Sequence, residues 1–174
     1  PARADARRNR ALLLKTAQRL FNQNGVDDVS MTSIAEAAEV GKGTLYRHFT
    51  NKADLCNALL DEDMRELQGS VLSHLRENDD SLEKLKWVLE RIHDFVIRNE
   101  ALLRVHPEAR GLELDHQAHF WWRQTIAGLL GQIQPGTDVR YETDMLYVMV
   151  DVRTLHFQRT VLGYDREFII NGLH

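Results

Sequence analysis

Residues 41–52 read Gly-Lys-Gly-Thr-Leu-Tyr-Arg-His-Phe-Thr-Asn-Lys, and nearly every polar group among them can bind phosphate. Two chemistries fit such a stretch. Gly41-Lys42-Gly43-Thr44 resembles a loop that cradles nucleotide phosphates, whereas Lys42, Thr44, Tyr46, Arg47 and His48 could meet a nucleic-acid backbone. Spacing separates them. A P-loop runs Gly-x-x-x-x-Gly-Lys-Ser/Thr and follows a strand. Here Gly41-Lys42 is followed by Gly43, the glycine expected upstream is Glu36, and residues 33–40 have a helical pattern. The nucleotide reading fails on all three counts.

The helical reading survives. At about 100° per residue, Leu45 and Phe49 share one face of a helix over 42–48, and with Ile34 and Ala38 they can bury against a preceding helix. Gly43, Thr44 and Arg47 then face outward, flanked by Tyr46 and His48. Arg can bond guanine bidentately, Thr can meet a base edge or a thymine methyl, and Tyr, His and Lys reach phosphates. Gly43 leaves room for close backbone approach, and Lys42 sits at a helix N-terminus, where amides favour phosphate. Two short helices joined by a turn are the elements of a helix-turn-helix.

The elements around this stretch read as an all-α chain. Leu13, Ala17, Leu20 and Phe21 mark a first helix that Asn24-Gly25 ends. Thr32 or Ser33 is placed to cap a second, with Ser33 and Glu36 as a capping box. Glu39-Val40-Gly41 forms a tight turn before the helix over 42–48. Asn51 caps a fourth helix reaching about Asn78, with Leu60, Met64, Leu67 and Val71 on one stripe. Ser81 caps a fifth, striped by Leu85, Val88, Leu89, Ile92, Phe95 and Val96. Residues 100–118 give short pieces; a helix then covers about 116–134, ended by Pro135-Gly136. A long apolar helix is expected over about 137–162, ended by Gly163. Asp165 can cap a last segment.

The chain has 174 residues, is 43% hydrophobic and 28% charged, and carries a net charge of −4. The distribution matters more than the total. Residues 1–54 hold nine Lys/Arg against six Asp/Glu, and residues 55–174 hold thirteen against twenty. A basic head on an acidic body attracts phosphate with one part of the chain only. The longest apolar run, Met145 to Val150, is far short of a membrane span, and the charged N-terminal stretch lacks the apolar core of a secretory signal. The lone Cys56 rules out an internal disulfide and fits a reducing cytoplasm. No Gly-x-Ser-x-Gly elbow, P-loop or zinc-hydrolase helix speaks for an enzyme.

The segment Thr32-Ser33-Ile34-Ala35-Glu36-Ala37-Ala38-Glu39-Val40 and its continuation to Leu55 resemble the DNA-binding signature of the TetR family of transcriptional regulators. The resemblance covers about residues 10–58. Ala35, Ala38, Val40, Gly43, Leu45, Tyr46, Phe49, Lys52 and Leu55 fall at the family's spacing. Two positions depart from it: Glu39 stands where the turn usually has glycine, and Gly41 replaces a Ser/Thr.

The resemblance implies that Lys42, Thr44, Tyr46 and His48 contact phosphate or bases, that Arg47 reads a base and that Lys52 contacts phosphate. It also implies that Thr32 or Ser33 holds the second helix to the DNA backbone. It further implies a DNA-binding domain over 1–51, a regulatory and dimerisation domain over 52–174, and a homodimer that leaves operator DNA when a small effector binds. A helix-turn-helix protein whose body answers to a protein partner, or to no ligand, is the alternative.

For the dimer, Tyr141, Met145, Val148, Val152 and Leu155 form one stripe of the long helix. For a pocket, the candidates are Met64, Trp87, Phe95, His106, Phe120, Trp121, Trp122 and Met149, since Met and aromatics line adaptable apolar pockets. His116 and His119, near Glu113, Asp115 and His106, have a metal-compatible spacing, but no HExxH or cysteine joins them. A polar surface patch is the reading taken there. No metal or cofactor is expected.

Overall fold

A computed structural model describes the backbone of residues 2–77, 80–104 and 117–174, and the side chains of 5–77, 80–104 and 120–174. Ten helices and no strand occur among the described residues: α1 Ala2–Asn24, α2 Met31–Ala37, α3 Lys42–His48, α4 Lys52–His74, α5 Ser81–Arg98, α6 Glu100–Leu103, α7 Gln117–Ile133, α8 Arg140–Met149, α9 Val152–Thr160 and α10 Arg166–Leu173. The all-α class follows from the heptad-like stripes. No helix among the described residues is long and apolar enough to cross a membrane.

The chain divides into two compact units. The first holds α1–α3, α4 as far as Asp63, and the stretch from Ala101; the second holds the rest of α4, α5 and α7–α10. The first unit runs past residue 51 because Leu55, Cys56, Ala58 and Leu59 of α4 complete its core with Leu13, Ala17, Phe21, Ile34, Leu45 and Phe49. Burial pushes the Cys56 thiol up to about 11, against a smaller lowering by Lys52, so this cysteine is an inert core group at neutral pH. α1 ends at Gly25, whose φ of +84° is the left-handed conformation of a helix C-terminus.

The caps correct two expectations. α2 is capped by Ser30, not by Thr32 or Ser33. Ser30 Oγ accepts the Ser33 amide at 3.0 Å, and Ser33 Oγ accepts the Ser30 amide at 3.0 Å. Ser33 therefore occupies the third helical position and fills the role usually given to Glu or Gln, leaving Glu36 outside the box. α5 is capped by Asp80, which accepts the Leu82 amide at 3.0 Å; the Ser81 hydroxyl instead donates to Gln132 on α7 at 2.8 Å. A carboxylate one residue earlier is the stronger acceptor. Asn51 does cap α4, accepting the Asp54 amide at 2.9 Å while Asp54 accepts the Thr50 amide at 3.0 Å.

In the second unit α5 presents Leu85, Val88, Leu89, Ile92, Phe95 and Val96 to the core, all buried as their stripe requires. They pack chiefly against α7, which buries Trp122, Ile126, Leu129 and Leu130. The expected single helix over 137–162 is broken into α8 and α9. Asp151 has extended backbone (φ −64°, ψ 143°), and its carboxylate accepts the Arg153 amide at 2.9 Å, so it caps a new helix directly after the apolar run. The valines around it at 148, 150 and 152 are β-branched and resist the break less than straight chains would. Gly163 (φ +72°) ends α9, and Asp165 caps α10 by accepting the Phe168 amide at 2.8 Å. Arg166 of α10 grips Asp94 of α5 through two bonds of 2.9 Å, holding that carboxyl down to about 2, with His93 and Arg91 adding to the effect.

Glu39 has φ +53°, a left-handed residue with a side chain, in the turn where the family usually has glycine. Such a conformation costs a non-glycine residue about 1–3 kcal/mol. Three variants test the turn and cap by urea unfolding. Glu39→Gly should raise stability by about 0.5–1 kcal/mol after the entropy of glycine is counted. Ser30→Ala should lower it by about 1 kcal/mol. Thr32→Ala should stay within about 0.5 kcal/mol. A larger loss at Thr32 than at Ser30 would return the cap to the position first expected.

Candidate nucleic-acid interface

α3 has only seven residues, too few to be stable alone. Its orientation comes from packing. Leu45 is fully buried and Phe49 nearly so, among Leu13, Ala17, Ile34 and Ala38. Each such side chain contributes roughly 1.5–3 kcal/mol on burial. Arg10 of α1 lies over the Phe49 ring at 5.3 Å, a cation–π contact that closes the end of α3.

With that face turned in, the opposite one is displayed. Lys42, Gly43, Tyr46 and Arg47 are exposed, and Thr44 is half-buried beside them. Lys42, Tyr46 and Arg47 make no side-chain bond to protein among the described residues. Gly43 has open space where a Cβ would stand, so the protein's own packing does not demand glycine there. Gly41 caps α3 with no side-chain bond.

Three predicted contact residues sit differently from the expectation. His48 is half-buried, with Nε2 turned inward and lacking a partner among the described residues. The wheel explains this: His48 lies only about 60° from Leu45, on the buried side. Ser33 has its hydroxyl engaged in the α2 cap, donating to the Ser30 carbonyl at 2.8 Å. Lys52 is half-buried, and its ammonium donates to the Asp27 carbonyl at 3.2 Å, tying α4 to the α1–α2 loop. Thr32 is half-buried at the second position of α2. The further basic groups Arg7 and Arg8, exposed on the first half of α1, belong to no motif; a count of charges over the head is the signal that includes them.

This head, with a short exposed helix after a tight turn, matches the family described as bacterial regulatory proteins, tetR family, over residues 13–59. Residues 13–59 are thus similar to the DNA-binding head of that family. An HTH-type transcriptional regulator of Staphylococcus aureus strain MRSA252 is 29% identical over 162 residues, covering 90% of this chain and 85% of that protein. A tetR-family regulator of Pectobacterium atrosepticum has the same fold at a TM-score of 0.74, with 19% identity over 98% of this chain and 91% of that one. FadR of Bacillus subtilis, solved with stearoyl-CoA, gives 0.67, with 23% identity over 94% of each chain.

The second unit places the predicted pocket residues apart. Phe95 and Trp122 are buried core, 6.4 Å apart between ring centres. Trp87 is half-buried and lies between the His74 ring at 4.2 Å and the Arg91 guanidinium at 5.6 Å. Trp121 stacks edge-on against Trp122 at 4.7 Å. Met64 and Met149 are half-buried, and Phe120 is 59% exposed. His106 and His116 lie outside the described residues, as does the His119 side chain. An open cleft between α5, α9 and α10 has none of the predicted residues in its lining.

Gly43 allows stability and DNA contact to be separated. Gly43→Ala should leave the urea midpoint unchanged or raise stability by up to about 1 kcal/mol, because Ala is the better helix former. The same substitution should weaken DNA binding in fluorescence anisotropy by putting a methyl where the duplex approaches. Equal DNA affinity for both proteins would remove Gly43 from the interface.

Proposed function

We propose that this chain is a cytoplasmic repressor of the tetR type that binds operator DNA as a homodimer and is released by a small-molecule effector. The observation that carries the DNA reading is Arg47, exposed on α3 with no protein partner among the described residues and flanked by Tyr46 and Gly43. Arg47 reads a base in the major groove, and Lys42, Thr44 and Tyr46 fix the register on phosphates. Lys52 and His48 contribute mainly by holding the head together. The chain acts through binding rather than turnover.

One recognition helix reads few base pairs, so a two-fold pair reading half-sites about 34–36 Å apart supplies the specificity. Within the predicted dimer stripe, Tyr141 is 74% exposed, Met145 is exposed, and Val148 and Val152 are half-buried. Leu155 is fully buried in its own unit and is not offered to a partner. The break at Asp151 changes the register of the stripe, which is why Leu155 leaves it. Phe157, Val161, Leu162 and Phe168, all exposed, extend the apolar surface over α9 and α10 and are the better dimer candidates. For the effector, the likeness to FadR makes an acyl-CoA thioester the first probe.

Operator selection from random duplexes, followed by titration, tests this reading. Arg47→Ala should cost about 1–3 kcal/mol and relax discrimination at one base of each half-site. Lys42→Ala should weaken all sequences alike and reduce the salt slope by about 0.9. Unchanged discrimination after Arg47→Ala would overturn the docking of α3. Phe168→Glu, followed by light scattering, should turn a dimer into a monomer and weaken palindromes more than isolated half-sites. A variant that remains dimeric would move the interface elsewhere.

A further inference from the structure

α1 overshoots the core that it helps to build. Its core residues start at Leu13, whereas the helix starts at Ala2, about three turns earlier. Arg10 fixes where this overhang begins. Its guanidinium lies over the Phe49 ring at 5.3 Å, so the overhang leaves the head beside the C-terminal end of α3.

Two arginines stand on the overhang before Arg10. Arg7 and Arg8 carry the same charge, are both exposed and make no side-chain bond among the described residues. They differ in direction. At about 100° per residue, Arg7 lies roughly 60° from Arg10 and roughly 20° from the buried Leu14, so it continues the inner stripe of α1 past the end of the core. Arg8 lies roughly 160° from Arg10, on the outer side.

Their neighbours differ as well. Asp5 stands three residues before Arg8, the spacing of surface partners on a helix. The positions three and four away from Arg7 hold Arg3, Ala4, Arg10 and Ala11, so its own helix offers it no carboxylate. Arg7 and Arg10, one turn apart, repel each other, and an anion set beside them would remove that repulsion.

The anion follows from the place. The major groove is about 12 Å wide, and a helix with its side chains is about 10–12 Å across. A helix seated there has phosphates on both flanks. A cation that extends past the end of α3 on its inner side meets one of those phosphate strands.

We propose that Arg7 is a further DNA contact of the head, a clamp on the phosphate strand beside the C-terminal end of α3, and that Arg8 is not. This rests on the reading of α3 as the helix that enters the groove. A guanidinium takes two phosphate oxygens through parallel bonds. The contact carries no base information; it sets the register of the head along the duplex and lengthens the footprint beyond the motif residues.

Fluorescence anisotropy of the full chain tests it across a salt series, on the duplex returned by selection and on a mixed-sequence duplex of equal length. Arg7→Gln should flatten the plot of log affinity against log salt by about 0.9 for each chain bound, roughly an eightfold loss per chain at about 0.1 M salt. Arg7→Lys should keep most of the slope, since an ammonium also binds phosphate as a point charge. Arg8→Gln removes the same charge and should leave the slope as it is. Both positions are exposed, so all three variants should melt with the unaltered protein. Equal effects of Arg7→Gln and Arg8→Gln would show net charge acting rather than a contact and would overturn the assignment. An altered base preference in Arg7→Gln, or an unchanged slope, would do the same. Arg47→Ala, measured alongside, separates two failures. If it relaxes discrimination while Arg7→Gln is silent, α3 reads DNA and Arg7 does not touch it. If the unaltered protein binds neither duplex, the reading of α3 fails and this contact with it.

Discussion

The burial of Leu45 decides what the head can do. A seven-residue helix has no preferred orientation of its own, and its backbone bonds cannot hold it folded. With Leu45 at 0% exposure and Phe49 at 3%, the rotation of α3 about its axis is set. Every other property of the face follows from that rotation. Arg47, nearly opposite Leu45, must point outward; Tyr46 and Gly43 must border it; His48 must fall toward the core. The residues displayed on the surface of α3 are thus selected by the two that are hidden.

The same constraint sorts the cations. Lys42 and Lys52 bracket the recognition stretch and look alike as phosphate clamps in the sequence. Lys42 is the first residue of α3 and makes no side-chain bond among the described residues. Lys52 opens α4 beside the α1–α2 loop and spends a donor on the Asp27 carbonyl. An ammonium has three donors, so the bond does not remove Lys52 from DNA. It does mean that its loss acts through the loop as well as through charge, whereas Lys42 reports charge alone.

Helix positions were readable from apolar spacing because burial is periodic: α1, α3, α5 and the start of α4 sit where their stripes place them. The helical wheel also anticipated the exposed Arg47 and the inward Phe49. Local chemistry was harder. Ser30, Thr32 and Ser33 can all cap, and only the mutual bond of Ser30 and Ser33 decides among them. Asp151 directly follows the longest apolar run of the chain, where stripe counting continues a helix and a single carboxylate ends it. The scattering of Phe95, Trp122 and Phe120 between core and surface could not be read at all, since core and pocket share the same residue types.

The eight-residue α10 shows how packing produces an exposed surface as well as a hidden one. Ile169, Ile170 and Leu173 are buried and supply most of its attachment. The Arg166–Asp94 pair is partly exposed, and pairs of that kind contribute at most about 1 kcal/mol. Its role is direction: two parallel bonds allow one angle of the helix against α5. Once Ile169 and Ile170 face inward at that angle, Phe168 is driven outward, where its ring meets Tyr164 at 4.4 Å and otherwise faces solvent. A phenylalanine left there gains nothing for a lone subunit. The same inward packing that holds α10 in place therefore leaves an exposed apolar surface, the one proposed above for a dimer contact.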